Sequence, residues 1–109
     1  MTQYEVLLTE DAERDLEELF DFIATHDSLA AANHVLDRIW ESMAGLSSMP
    51  ERGSIPRELL ALGIREYRQV FFKPYRLIYR VMDGRVLIYL IGDGRRNMQA
   101  LLTRRLIGA

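Results

Sequence analysis

No cysteine occurs in the 109 residues, which excludes a disulfide framework, thiolate metal sites and a cysteine nucleophile, and is compatible with a reducing compartment. Lysine is almost as scarce: Lys73 stands alone beside 13 arginines. The histidines, His26 and His34, come with no third ligand at metal-binding spacing, so neither a metal nor any other cofactor is expected. Nowhere do apolar residues run to the roughly 18 needed to cross a bilayer, and the opening MTQYEVLLTEDAERD has no basic leader ahead of an apolar stretch. The expectation is a cytoplasmic protein with no membrane partner. Apolar residues make up 49% of the chain, enough for one core, so residues 1–109 are read as a single domain.

The net charge of −2 conceals a polarised chain. Residues 1–51 hold 2 arginines and 12 acids, a balance of −10, whereas residues 52–109 hold 11 arginines and Lys73 against 4 acids, a balance of +8. Either the halves neutralise one another in the fold, or the basic half meets an anionic partner. The bias toward arginine favours specific contacts, because a planar guanidinium pairs bidentately with carboxylate or phosphate.

Hydrophobic periodicity predicts the elements. YEVLL predicts a first strand over about residues 3–8. Thr9 is placed to cap a helix with Ala12, Leu16, Leu19, Phe20 and Ile23 on its apolar face and acids filling the remaining positions. Ser28 is placed to cap a second helix carrying Ala32, Val35, Leu36, Ile39, Met43 and Leu46, and the short connection makes the pair an antiparallel hairpin. Trp40, beside that stripe, reads as a packing residue. The stretch 49–59, with two prolines and a glycine, reads as an exposed loop, followed by a helical turn in ELLALG. Three β-rich runs follow: Arg65 to Phe72, YRLIYRV and RVLIYLI, with Lys73-Pro74 and Asp83-Gly84 marking the turns. In the last run both alternating sets, Val86, Ile88, Leu90 and Leu87, Tyr89, Ile91, are largely apolar, as in a central strand covered on both faces. A final helix begins near Asn97, with Met98, Leu101, Leu102 and Leu106 inward. The fold class is therefore α+β: an N-terminal strand and antiparallel helical hairpin packed on a small antiparallel sheet, closed by a short C-terminal helix.

The arginines concentrate in the second half. Arg65, Arg68, Arg76, Arg80 and Arg85 lie in or beside the strands, Arg95 and Arg96 sit at the exit of the third run, and Arg104 and Arg105 close the last helix. Arg76, Ile78 and Arg80 share one strand face by period-two alternation. The expectation is one concave basic surface bordered by Arg95, Arg96, Arg104 and Arg105, and these residues with Arg68, Arg76 and Arg80 are the candidate set for binding an anionic target or partner.

The helix opening LTEDAERDLEELFDFIA, the loop PERG, the YR pairs Tyr67-Arg68 and Tyr75-Arg76 with IY following, and DGRRNMQALL together resemble the RelE/ParE family of bacterial type II toxins, over essentially the whole chain. The resemblance implies a toxin with a helical hairpin on a small antiparallel sheet, neutralised by a cognate, ParD-like antitoxin encoded beside it. It also implies that the two proteins reach operator DNA as a complex and repress their own operon.

That family holds two chemistries. RelE-like members cleave messenger RNA on the ribosome; ParE-like members inhibit DNA gyrase and have no known nuclease site. RNA cleavage through the 2′-hydroxyl needs a proton acceptor, a proton donor and cations to hold the phosphate. Arginine supplies only the last, since it keeps its proton at working pH. The resemblance to RelE places phosphate-holding groups at Arg68, Arg76 and Arg95 or Arg96. The final segment NMQALLTRRLIGA, however, has no Tyr, His, Glu or Lys, so a nuclease would have to use a strand tyrosine, Tyr75 or Tyr79. Docking on ribosomal RNA also suits a large positive excess, which this chain lacks. The ParE-like reading, a gyrase inhibitor with no catalytic residue, is favoured over a RelE-like endoribonuclease built on Arg68, Arg76, Tyr79, Arg95 and Arg96. A third reading is a toxin-like domain without toxicity that serves as corepressor with its antitoxin.

Overall fold

In the computed structural model, which describes residues 3–107, Thr9 and Ser28 start two helices of equal length. Thr9 Oγ1 accepts from the Ala12 amide at 3.1 Å and opens α1, Glu10–His26, whose first turn carries Glu10, Asp11 and Glu13. These acids face the positive end of the helix dipole. Ser28 Oγ accepts from the Ala31 amide at 3.0 Å and opens α2, Leu29–Gly45. The hairpin buries Ala12, Leu16 and Ile23 of α1 and Ala32, Ile39 and Met43 of α2. The ends of the expected 1–109 domain, residues 1–2 and 108–109, lie outside the described residues.

Beneath the hairpin lies a four-stranded sheet in the order β1-β4-β3-β2: β1 Glu5–Leu8, β2 Tyr67–Phe72, β3 Tyr75–Met82 and β4 Arg85–Asp93. The last three strands are antiparallel neighbours, as their turns predict. Between β3 and β4, Asp83 and Gly84 have φ of 46° and 75°, the pair of left-handed residues that a tight two-residue hairpin requires. The sheet as a whole is mixed, because β1 pairs parallel with β4, Glu5 opposite Arg85 through Leu8 opposite Ile88. The antiparallel run leaves one edge of β4 open, and β1 takes the first half of it.

Two cores use the two faces. The hairpin face holds Ala12, Leu16, Ile39, Met43 and Leu46 against Leu77, Tyr79, Val86, Ile88 and Ile91. The opposite face holds Ile78 and Leu90 against Leu59, Met98 and Leu102, supplied by α3, Arg57–Leu60, and α4, Met98–Leu102. Helix α3 starts inside the stretch 49–59 that reads as loop, directly after the buried Pro56. Asn97 caps α4 by accepting from the Ala100 amide at 3.1 Å, and the chain continues into a wider π-type turn, Thr103–Ile107.

Strand β4 departs from strict alternation. Ile78 pairs with Leu90, but Tyr79 pairs with Ile88, so Tyr89 is one extra residue, a β-bulge. Its consequence is that Leu90 turns to the α3–α4 face and Ile91 to the hairpin face, exchanging the sets that simple alternation assigns them.

Gly53 is fixed by crowding. A Cβ there would lie 2.5 Å from the Gln69 carbonyl oxygen and 2.7 Å from the Tyr79 hydroxyl. The loop is held so closely because Ser54 and Gln69 exchange backbone hydrogen bonds at 3.1 and 2.7 Å, and the Tyr79 hydroxyl donates to the Pro50 carbonyl at 2.7 Å and accepts from the Gly53 amide at 3.1 Å. Gly53→Ala is expected to cost about 2 kcal/mol, the scale of overpacking a close-packed site, measured as a lowered midpoint in urea denaturation.

Candidate functional site

The arginines of the second half do not form one surface. Arg76 and Arg80 lie on the α3–α4 face of β3, as period-two spacing requires, but Arg68 pairs across with Tyr79 and so belongs to the opposite, hairpin face. There its guanidinium donates to the carbonyls of Glu51 and Gly53, at 3.2 and 2.8 Å. Arg68 is a strut for the loop beneath the sheet edge. Arg80 lies over the Tyr67 ring with its carbon 5.8 Å from the centroid.

Arg76 is buried, and burying a guanidinium requires a partner. Glu58, at the start of α3, takes both terminal nitrogens in a fork at 2.9 and 2.9 Å, and the Gln69 side-chain oxygen accepts from Nε at 2.8 Å. The guanidinium holds the Glu58 carboxyl far below the ordinary carboxylate range, at about 2, against the opposing effect of burial. Arg105 is spoken for in the same way. It donates to both oxygens of Asp15, at 2.8 and 3.0 Å, and to the Tyr89 carbonyl at 2.8 Å, with Asp11 a further 3.6 Å contact. The acidic first half and basic second half are thus partly joined inside the molecule.

Arg95, Arg96 and Arg104 remain exposed. Arg95 forks onto Asp93 two residues earlier, at 2.9 and 2.6 Å; this contact lowers the Asp93 carboxyl and raises the guanidinium. The pair is a surface one, and it leaves Arg95 in position to meet a partner. Arg95 lines two depressions. One, about 360 Å³, is bordered by Arg57, Glu58, Phe71, Lys73 and Arg76. The other, about 380 Å³, lies between α1 and the end of β4 and is bordered by Leu19, Phe22, Tyr75, Asp93 and Arg96. The Asp93–Asn97 turn is therefore a cationic ridge between two clefts.

Of the two strand tyrosines, Tyr79 is not placed to shuttle protons on this ridge. Tyr79 is fully buried on the hairpin face, its hydroxyl committed to the Pro50–Gly53 loop and its ionisation opposed by burial. This corrects its expected role as a proton carrier: one residue along a strand from Ile78, it points away from Arg76. Tyr75 lines the α1 cleft, and burial, reinforced by the charge of Asp93, pushes its phenol upward. Sequence reasoning missed Glu58, Gln69 and Asp15. The signal for each is chemical, since an arginine packed among apolar residues demands acceptors, but no local spacing says which ones.

A helical hairpin on a small sheet, with an arginine-bearing turn leading from the last strand into a short helix, defines a small protein toxin of the RelE/ParE class. Residues 6–98 match the model of the ParE toxin of the type II toxin–antitoxin system parDE, and the chain belongs to that family. It is 30% identical to Toxin ParE3 of Caulobacter vibrioides over 100 residues, 92% of this chain and 96% of that protein. Among solved structures it is similar to the chromosomal ParDE system of P. aeruginosa, with a TM-score of 0.71 and 19% identity over 85% of this chain and 98% of that one. It is also similar to the RelBE2 toxin–antitoxin complex of Mycobacterium tuberculosis, with a TM-score of 0.63 and 28% identity over 85% and 93% of the two chains.

Proposed function

We propose that residues 1–109 act as a single toxin domain that inhibits DNA gyrase by docking, and that a cognate ParD-like antitoxin silences it. The observation that carries this reading is the cationic ridge, where Arg95 and Arg96 stand exposed without the Tyr79 phenol beside them. Arg95 and Arg96 can grip an anionic surface, yet Tyr79 is turned into the core and Arg76 is already neutralised. Glu58 is a poor general base, because a carboxyl with a pKa of about 2 has little driving force to take a proton at neutral pH. Binding through cations requires none of this machinery. The family membership and the ParE3 relative support the same reading.

On this reading the protein works in the cytoplasm, where its target is; among the described residues no helix is long and apolar enough to cross a membrane. The antitoxin covers the ridge, and operator DNA is reached only through the complex with it. The test is supercoiling of relaxed plasmid by purified gyrase and ATP with increasing amounts of the protein. Inhibition is expected with the natural chain, and at least a roughly tenfold weaker effect with Arg95→Ala, Arg96→Ala, the scale of losing two charge contacts. Persistent supercoiling at concentrations that arrest growth would overturn the proposal.

A second reading, ribosome-dependent RNA cleavage, is favoured by the likeness to the RelBE2 complex and by Tyr75 lying in one cleft with Arg95 and Arg96. It requires cleaved transcripts in expressing cells and loss of cleavage in Tyr75→Phe.

A further inference from the structure

The cleft between α1 and the end of β4, about 380 Å³, differs from its neighbour across the ridge once the internal ion pairs are set aside. Its floor is apolar, from Leu19 and Ile23 of α1, Tyr75 of β3 and Ile91 of β4. Of its charged groups, Asp15 is held by Arg105 and the Ile91 amide, and Asp93 is held by Arg95. Two are left over. Glu18 on the α1 wall and Arg96 on the turn are both exposed, and neither enters the ion pairs found among the described residues. The neighbouring depression is left with cations, Arg57 and Lys73, because its carboxylate, Glu58, is spent on Arg76. The mouth of the α1 cleft also carries Phe22, 60% exposed, its ring stacked on His26 with centroids 4.1 Å apart. His26 Nδ1 donates to the Phe22 carbonyl at 2.9 Å, so the two rings brace each other and Phe22 stands presented to solvent.

We propose that this cleft seats a dipolar segment of the target protein, with an apolar side chain on the floor, a carboxylate toward Arg96 and a cation toward Glu18. The proposal rests on the gyrase reading for the identity of the target and adds how the target is recognised. Three features define the occupant. The floor calls for an apolar side chain, and the cleft falls in the size range of built ligand sites, roughly 300–1,000 Å³. Arg96 offers a whole guanidinium to a carboxylate, and Arg95 adds its Nη1, since Asp93 takes only Nε and Nη2. Glu18, facing them from α1, rewards a positive group and repels a negative one. A nucleic-acid strand carries one sign of charge along its length, so it suits the Arg57 and Lys73 side of the ridge and not this one. Phe22 beside two arginines is also the composition of a protein-binding anchor. The whole chain, at −2, exerts no general attraction on an anionic target, so recognition has to come from local placement of charge.

The test compares binding of the full-length protein to immobilised gyrase, and inhibition of supercoiling, across charge and contact variants. Glu18→Lys separates the two modes of recognition. It makes the protein more positive, so a target held by cations alone would bind it more tightly, whereas a dipolar segment is expected to bind it roughly tenfold more weakly. Glu51→Lys makes the same charge change at an exposed position outside the cleft and is expected to bind as the natural chain does. Phe22→Ala is expected to lose roughly tenfold in affinity, while Leu29→Ala, equally exposed at 61% but outside the cleft, is expected to lose nothing. Thermal melting of each variant checks that these exposed substitutions leave the fold intact. Three results would each overturn the inference: natural or tighter binding by Glu18→Lys, equal weakening by Glu51→Lys, or losses in Leu29→Ala that match those in Phe22→Ala. The gyrase reading fails in a different place. If the natural chain itself neither binds nor inhibits gyrase, that reading falls and this inference falls with it, whereas an active natural chain with indifferent variants removes the inference alone.

Discussion

Glu58→Ala is expected to remove about 3 kcal/mol of folding stability, read as a drop in both the thermal midpoint and the urea midpoint. The size follows from what is left behind. Arg76 has 9% of its side chain exposed and Glu58 21%, so deleting the carboxylate strands a guanidinium that water cannot reach, with only Gln69 to receive it. The loss exceeds the worth of the pair itself, because a buried pair repays most of its own desolvation and little more. A triple variant, Glu58→Leu, Gln69→Leu, Arg76→Met, is therefore expected to recover most of the stability that Glu58→Ala loses. If the triple variant is less stable than Glu58→Ala, the network contributes net stability rather than specifying how α3 docks on the sheet.

The same pair predicts acid sensitivity, and its sign is set by the direction of the shift. The folded Glu58 carboxyl is lowered to about 2, beneath an unfolded value of about 4.3. Its stabilising contribution is then complete above about pH 4.3 and fades as pH falls toward about 2, because the unfolded chain takes up the proton first. Stability measured from pH 5 to pH 2 is expected to fall more steeply for the natural chain than for Glu58→Gln, which cannot titrate. Asp93 is lowered in the same direction by Arg95, but its partner is 77% exposed, so solvent screens that pair and it adds little.

The sequence disclosed whatever is decided within a few residues. Thr9, Ser28 and Asn97 cap their helices three residues ahead, and Asp83-Gly84 makes its hairpin by its own dihedral preferences. What was not legible depends on partners brought together by the fold. Glu58 reaches Arg76 across 18 positions and Asp15 reaches Arg105 across 90, and period and spacing carry no information at such range. The bulge at Tyr89 was hidden for another reason: with both faces of β4 apolar, moving Leu90 and Ile91 to opposite sides leaves the hydrophobic pattern unchanged. The parallel pairing of β1 likewise leaves no mark on four residues. For the candidate site, this explains why arginines that are neighbours in the sequence pattern separate in space. Arg68 braces a loop, Arg76 and Arg105 are consumed by carboxylates, and Arg95, Arg96 and Arg104 are left facing outward.

Asp15→Ala is expected to release the C-terminal turn and to cost about 2–3 kcal/mol, the sum expected for a partly buried ion pair and a lost backbone contact. Among the described residues, strand β4 has no neighbouring strand on its outer edge beyond Ile88, since β1 ends at Leu8. Asp15 and Arg105 complete that edge: Asp15 Oδ2 accepts from the Ile91 amide at 3.0 Å, while Arg105 donates to the Tyr89 carbonyl and to Asp15. One carboxylate thus satisfies a strand amide and a guanidinium together, in place of a fifth strand. The guanidinium is raised by its hydrogen bond to Asp15, so Arg105 holds its proton in the link. Asp15→Asn preserves an acceptor for Ile91 but removes the charge that holds Arg105, so it separates the two roles. Hydrogen exchange in Asp15→Asn is expected to quicken over 98–107 while the Ile91 amide stays protected; in Asp15→Ala both are expected to exchange faster. Unchanged exchange over 98–107 in both variants would mean that Met98 and Leu102, packed on Leu59 and Leu90, hold the C-terminal segment without the Arg105 link.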